Sequence, residues 1–303
     1  MGCLWTLTLP DLSPAAATTA ADAVFAEIVR LNQVFSDYEP TSELNQLCAQ
    51  AGHASPTPVS AELFDILTHA QAMAEFSDGI FDISLAPCVR LWRRSRRRGE
   101  LPDAAALAKA RALVGWPSVT LDPGKRTVHL AKAGMQLDLG GIAKGWTQDA
   151  CLKLLRERFG VTSVLLDAAG QVAAGTPPAG RTQWKVAIQP LPGAPASQLS
   201  LREKNIATSG DHYQFVEIQG IRYSHLIDPR TGLGSTVSRQ ASVVAATGVL
   251  ADCLTKLGCL LPSERSLPMI QNRYPDVQVR VSESVAGQPP QMVQTAGFPS
   301  NEP

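Results

Sequence analysis

Met135-Gln136-Leu137-Asp138-Leu139-Gly140-Gly141-Ile142-Ala143-Lys144-Gly145 is the stretch on which the fold turns. Its first five residues read as a strand, the glycine pair as a tight turn, and Ile142 as the start of a helix that runs to Phe159 and closes at Gly160. Val164-Leu165-Leu166 then reads as a buried strand ending at Asp167. Repeated along a chain, such a unit builds a doubly wound parallel sheet. Here it does not repeat. Helical spacing is confined to Ala21–Phe35, a short stretch around Leu44, Leu47 and Cys48, Ser60–Ala74, Ala104–Leu113 and about Val249–Leu261. Between them lie a predicted first strand over 3–9 and hairpins around Asp122-Pro123-Gly124-Lys125 and Gln219-Gly220. Strands and helices without regular alternation predict an α+β fold.

The chain has 303 residues, of which 45% are hydrophobic and 18% charged, so a sizeable core is affordable and wholesale disorder is not expected. Lys plus Arg equals Asp plus Glu, 27 each, which leaves no global field for nucleic acid or an anionic membrane. Any anion site must be local. The run from Arg90 to Gly99, with five further arginines around Trp92, reads as a solvated loop rather than a nucleic-acid contact. None of the six cysteines lies in Cys-x-x-Cys spacing, so no zinc ribbon or redox pair is indicated. Met1-Gly2-Cys3-Leu4-Trp5 has no basic or apolar leader character, so the sequence as written is expected to be cytoplasmic, or exported and anchored if a leader precedes it. Asp252 and Lys256 interrupt the apolar stretch Val243–Leu261, making it a poor membrane span.

Four segments carry chemistry. In Ser224-His225-Leu226-Ile227-Asp228-Pro229-Arg230-Thr231-Gly232, an imidazole, a carboxylate and a guanidinium surround an Asp-Pro…Gly turn. His225 is the candidate general base and Asp228 its partner or a ligand contact. In Asp138–Gly145, bare glycines and a helix start suit a phosphate, which would also relieve Lys144 of its unfavourable place in the first helical turn. Ala207-Thr208-Ser209-Gly210-Asp211 reads as a loop, either offering hydroxyls to a phosphate or forming an ordinary turn. Asp252, Thr255 and Lys256 share a helix face, and the pair Asp252 and Thr255 suits Mg²⁺ unless Asp252 and Lys256 simply form a surface ion pair.

In order and spacing these segments, with Ile80-Phe81-Asp82-Ile83, resemble the FAD:protein FMN transferase family (once called thiamine-biosynthesis lipoproteins) from Met1 to about Leu261. The resemblance implies a mixed sheet-and-helix α+β fold with a ligand cleft, formed as one flavin transferase domain over 1–286. The Pro-, Gln- and Ser-rich tail over 287–303 is expected to be disordered. It further implies Mg²⁺-assisted transfer of FMN from FAD to a Ser or Thr hydroxyl of a target protein, with release of AMP. Met1, Tyr38, Ile80, Phe81, Asp82, Asp138, Lys144 and Ile227 match FAD-contact positions, and His225 matches the residue that activates the acceptor hydroxyl. Gly141 through its carbonyl, Asp252 and Thr255 fall at the metal positions. Lys256 stands where many relatives carry an oxygen ligand, and Ala169-Gly170 where they carry a glycine pair. The expected partner is an acceptor protein such as a membrane redox subunit. Two other outcomes stay open: an FAD pyrophosphatase yielding FMN and AMP, and a non-catalytic flavin-binding protein.

Overall fold

The computed structural model describes residues 2–188, 197–211, 214–284 and 290–299. Met1, an expected FAD contact, lies outside the described residues. The chain divides into two compact units, each discontinuous: one holds 1–31, 142–209 and 239–303, the other 32–141 and 210–238. The architecture is α+β, as the mixed order of elements predicts. No described helix is long and apolar enough to cross a membrane.

The first unit is built on a seven-stranded sheet in the order Trp5–Thr8, Leu165–Ala168, Gln171–Ala174, Lys204–Gly210, Arg239–Ala245, Gln278–Glu283 and Gln291–Gln294. Leu165–Ala168 returns antiparallel as Gln171–Ala174 through Ala169-Gly170, both at positive φ (53° and 88°). A primed hairpin turn requires that geometry. The helix Ala143–Phe159 and the early residues of Pro14–Phe35 close one core, in which Ala20, Val24, Cys151, Leu155 and Leu166 are fully buried. Full burial of such an aliphatic side chain contributes about 1.5–3 kcal/mol.

Two contacts fix the helix Gly248–Leu260 against Ala143–Phe159. Gly145 and Gly248 approach so closely that a Cβ on Gly145 would fall on the Gly248 carbonyl. The Asp149 carboxylate accepts from the backbone N–H of Gly248 (2.7 Å) and of Val249 (3.0 Å), capping one helix from the side of the other. This clamp sets Lys144 and Asp252 in a fixed relation.

The segment 290–299, inside the tail expected to be disordered, is part of this sheet. Gln291–Gln294 pairs antiparallel with Arg280–Glu283, and Phe298 packs into a core with Trp184, Leu199 and Val244. Composition misses it because one buried aromatic and a bare sheet edge suffice to order a polar strand.

The second unit holds a three-stranded sheet, ordered Thr57–Pro58, Thr127–Leu130, Val119–Asp122, and the helices Glu43–Ala49, Ala61–Phe76, Ala86–Arg98 and Ala104–Ala112. The hairpins Phe215–Ile218 with Ile221–Ser224 and Ile227–Asp228 with Leu233–Gly234 complete it. The arginine run is helical, not a loop. Cys88, Trp92 and Ser95 are buried at i, i+4 and i+7, Pro87 lies at the helix start, and Gly99 ends it in the left-handed region at φ 70°. Arg96, Arg97 and Arg98 fall in the last turn, where the macrodipole favours cations. Trp92 donates its indole N–H to the Ser224 carbonyl at 2.9 Å, tying this helix to the strand that leads into His225.

Met135–Leu139, expected as a strand, belongs to no sheet. Met135, Leu137 and Leu139 are buried alternately, which produces the strand-like pattern. The backbone partners are irregular: Asp138 N–H donates to the Ile83 carbonyl at 2.8 Å and Leu137 N–H to the Cys48 sulfur at 3.3 Å.

Candidate functional site

In the first unit, the chemistry gathers on one buried carboxylate. Asp252 is 1% exposed on the helix Gly248–Leu260. Its Oδ1 accepts from Lys256 Nζ at 2.6 Å. Its Oδ2 accepts from the Gly145 N–H at 3.3 Å and faces Lys144 Nζ at 3.8 Å. Asp252 thereby serves the start of Ala143–Phe159, whose N-cap, Ile142, offers no side-chain acceptor. Burial pushes the Asp252 pKa up, but the charges of Lys144 and Lys256 and the hydrogen bonds from Lys256 and Gly145 bring it below the ordinary carboxylate range. One carboxylate between two ammonium groups leaves a cluster of net positive charge.

The lysine is itself caged. Lys256 Nζ lies 2.6 Å from Asp252 Oδ1, 3.0 Å from the Asp252 carbonyl, 3.1 Å from Thr255 Oγ1 and 3.3 Å from Ser209 Oγ. Thr255 donates to the Asp252 carbonyl at 2.7 Å and shares a 2.8 Å hydrogen bond with Ser209 Oγ. The expected pair of Asp252 and Lys256 therefore forms, but as a buried network rather than a surface ion pair. Thr208-Ser209-Gly210 is the end of a strand, not a loop, and Thr208 Oγ1 bonds Ser242 Oγ at 2.9 Å. These hydroxyls serve the protein's own hydrogen bonds because strand pairing aims them at the neighbouring strand and helix.

In the second unit, His225 follows the strand Ile221–Ser224. Its backbone N–H donates to the Gln214 carbonyl at 2.9 Å, and its Nδ1 lies 3.2 Å from the same oxygen. A carbonyl only accepts, so in the neutral ring Nδ1 carries the proton and Nε2 the lone pair. Asp228, expected as a partner of His225 or a ligand contact, is engaged by Arg230 through Nη2 at 2.6 Å and the backbone N–H at 2.9 Å. Asp228 also nucleates the predicted turn: its carbonyl accepts from Gly232 N–H at 2.8 Å, with Gly232 at φ 75°.

Asp138 Oδ1 accepts from Gly140 N–H at 2.7 Å, which shapes the turn before Gly141. Its Oδ2 accepts from Arg93 Nη2 at 2.9 Å, and Arg93 Nη1 holds Asp37 at 2.6 Å. Burial and the nearby Asp37 charge raise the Asp138 pKa, against the opposing pull of Arg93. The Arg93 guanidinium also stands over the Tyr38 ring, 4.4 Å from its centre, and Tyr38 is 74% exposed. Asp82 accepts from Ser84 N–H (2.7 Å) and Trp116 N–H (3.2 Å), and burial raises its pKa above the ordinary value in spite of those bonds. Ile80, Phe81 and Ile227 are buried.

Sequence reasoning named the carboxylates, the lysines and the histidine but gave no part to Arg93, Asp149 or the linking hydroxyl of Ser209. Arg93 was hidden in the charge run, where Arg90 and Arg96 are half-buried as well and nothing local marks which arginine meets the carboxylates.

Comparison with known proteins bears on both units. A model of the ApbE family matches residues 1–281. An FAD:protein FMN transferase of Treponema pallidum is 33% identical over 94% of this chain and 85% of its own length. The apo crystal structure of the Pseudomonas stutzeri flavinyl transferase ApbE superposes with a TM-score of 0.84 at 28% identity, covering 98% of this chain and 93% of that one. The Vibrio cholerae flavin transferase ApbE shares the fold, with a TM-score of 0.86 at 23% identity over 98% and 95% of the two chains.

Proposed function

This chain belongs to the ApbE family, and on that premise we propose how its own residues transfer FMN from FAD to a protein. The reaction is transfer of a phosphorus-containing group, with FAD as substrate and a protein as acceptor. In our reading the acceptor is a Ser or Thr hydroxyl, and a membrane redox subunit is the kind of protein expected to carry it. The hydroxyl oxygen forms a bond to the FMN phosphorus, the bond from that phosphorus to the bridging oxygen breaks, and AMP leaves with the bridging oxygen. The hydroxyl proton passes to His225 Nε2.

The observation that carries this role is the Nδ1 contact of His225 with the Gln214 carbonyl, 3.2 Å, which presets the tautomer a general base requires. Lys144 and the first turn of Ala143–Phe159 are assigned to the pyrophosphate. Asp138, Tyr38, Ile80, Phe81, Asp82 and Ile227 are assigned to the rest of FAD.

Mg²⁺ is implied at Gly141, Asp252 and Thr255. In the first unit the residues do not fit it. Asp252 Oδ1 and Thr255 Oγ1 are already within 2.6 Å and 3.1 Å of the Lys256 ammonium. A divalent ion on that carboxylate would stand about 4 Å from the ammonium, a repulsion of about 8 kcal/mol at an effective dielectric constant of 20. No step is therefore routed through a metal.

The test combines the full chain, FAD and a candidate acceptor, and follows covalent flavin fluorescence on the acceptor together with free AMP. Both products are expected. AMP without a labelled acceptor would favour the pyrophosphatase, and bound FAD with neither product would leave a flavin-binding protein. His225→Ala should keep FAD bound while transfer falls by about 10²–10⁴-fold. Unchanged transfer would remove His225 from the mechanism.

A further inference from the structure

We infer that Lys256 is a built-in cation: its ammonium, fixed beside Asp252, meets the charge of the FAD pyrophosphate in place of a divalent metal. This rests on the flavin transfer reading above and concerns how that site handles charge. The argument is one of donors and acceptors. An ammonium has three protons and no acceptor. Four oxygens surround Lys256 Nζ at 2.6–3.3 Å, lengths that suit N–H···O contacts. Mg²⁺ demands a near-octahedral oxygen shell at about 2.0–2.1 Å.

The hydroxyls close the account. Thr255 gives its proton to the Asp252 carbonyl, so Ser209 must give its own proton to Thr255. Lys256 then takes the second lone pair of Thr255, its three protons being shared among that oxygen, Ser209 Oγ and the two Asp252 oxygens. Thr255 is saturated by protein groups and has no lone pair left for a metal. The Lys256 side chain is 14% exposed and the Asp252 side chain 2%, so the pair is a packed feature of the helix rather than a surface contact.

The probe is FAD binding to the purified full chain, read by quenching of flavin fluorescence in EDTA and in MgCl₂. The expected dissociation constants agree within about twofold. Titrating MgCl₂ into the FAD-bound protein should give no binding heat. Lys256→Met, which keeps the bulk and removes the charge, should weaken FAD binding by about tenfold or more. Lys256→Thr, which offers an oxygen in its place, should make FAD binding respond to Mg²⁺. If Mg²⁺ tightens FAD binding to the unaltered chain by about tenfold or more, the inference is overturned while the transferase reading stands. If FAD binds in neither buffer, the transferase reading fails and takes the inference with it. The unaltered chain decides the matter even where a variant fails to fold.

Discussion

Arg93 holds two carboxylates and an aromatic ring with one guanidinium. Asp37 and Asp138 sit on its two terminal nitrogens, at 2.6 Å and 2.9 Å, and Tyr38 lies beneath it. Remove it, and two partly buried acids face each other with only the weaker pull of Arg90 to offset them. Because Arg93 is 27% exposed, water recovers part of the loss, and Arg93→Gln should cost about 1–3 kcal/mol. The pH dependence has a definite sign. Asp138 has a raised pKa in the folded protein, so folding favours its protonated form. Its contribution becomes less favourable as pH rises from the unfolded carboxylate value, about 3.9, through the folded one. Arg93→Gln raises the folded value further. Urea unfolding of variant and parent should therefore differ at neutral pH and converge as pH falls through the carboxylate range. A gap that is constant with pH would show that Arg93 contributes packing alone.

At the scale of elements, periodicity was legible wherever burial and backbone partners agreed. Ser60 and Gly160 mark helix ends in the sequence and in the structure, with Ser60 Oγ accepting from Leu63 N–H at 3.2 Å. Legibility failed where they disagreed. Met135–Leu139 has the alternation of a strand without a neighbouring strand, and the arginine run has the charge of a loop on a helix whose buried face is narrow. The approach of Ala143–Phe159 to Gly248–Leu260 was hidden for a further reason. Gly145 and Gly248 lie far apart in sequence, and nothing local marks them as a pair. Gly145→Ala forces a methyl onto the Gly248 carbonyl, so the helices must separate. The expected cost is about 1–3 kcal/mol or more, from overpacking. FAD affinity should fall in the same variant, because the separation moves Lys144 away from Asp252. Thermal melting and FAD titration check the two effects. Full stability would show that the helices slide apart without cost, and full stability with weakened binding would confine the glycine's role to the site.

At the scale of the whole molecule, neither unit is a contiguous stretch, and the first draws its sheet from both ends of the chain. Trp5–Thr8 lies at one edge and Gln291–Gln294 at the other. That far edge is where composition misled. Gln291–Gln294 is exposed at every position, so no hydrophobic pattern announces it. It is held instead by its neighbours. Thr295 Oγ1 accepts from the Val279 N–H at 2.9 Å, and Phe298 is 3% exposed beneath the Arg280 guanidinium, 4.3 Å from its ring centre. Phe298→Ala should cost about 3–5 kcal/mol by emptying that place in the core. Ending the chain after Ser284 should cost at least as much. It also uncovers Gln278–Glu283 as a sheet edge, and an uncovered edge invites pairing between copies. The truncated chain should therefore unfold at lower urea and aggregate with rising concentration, as light scattering would show. If both changes were neutral in unfolding, the strand and Phe298 would contribute nothing to the fold.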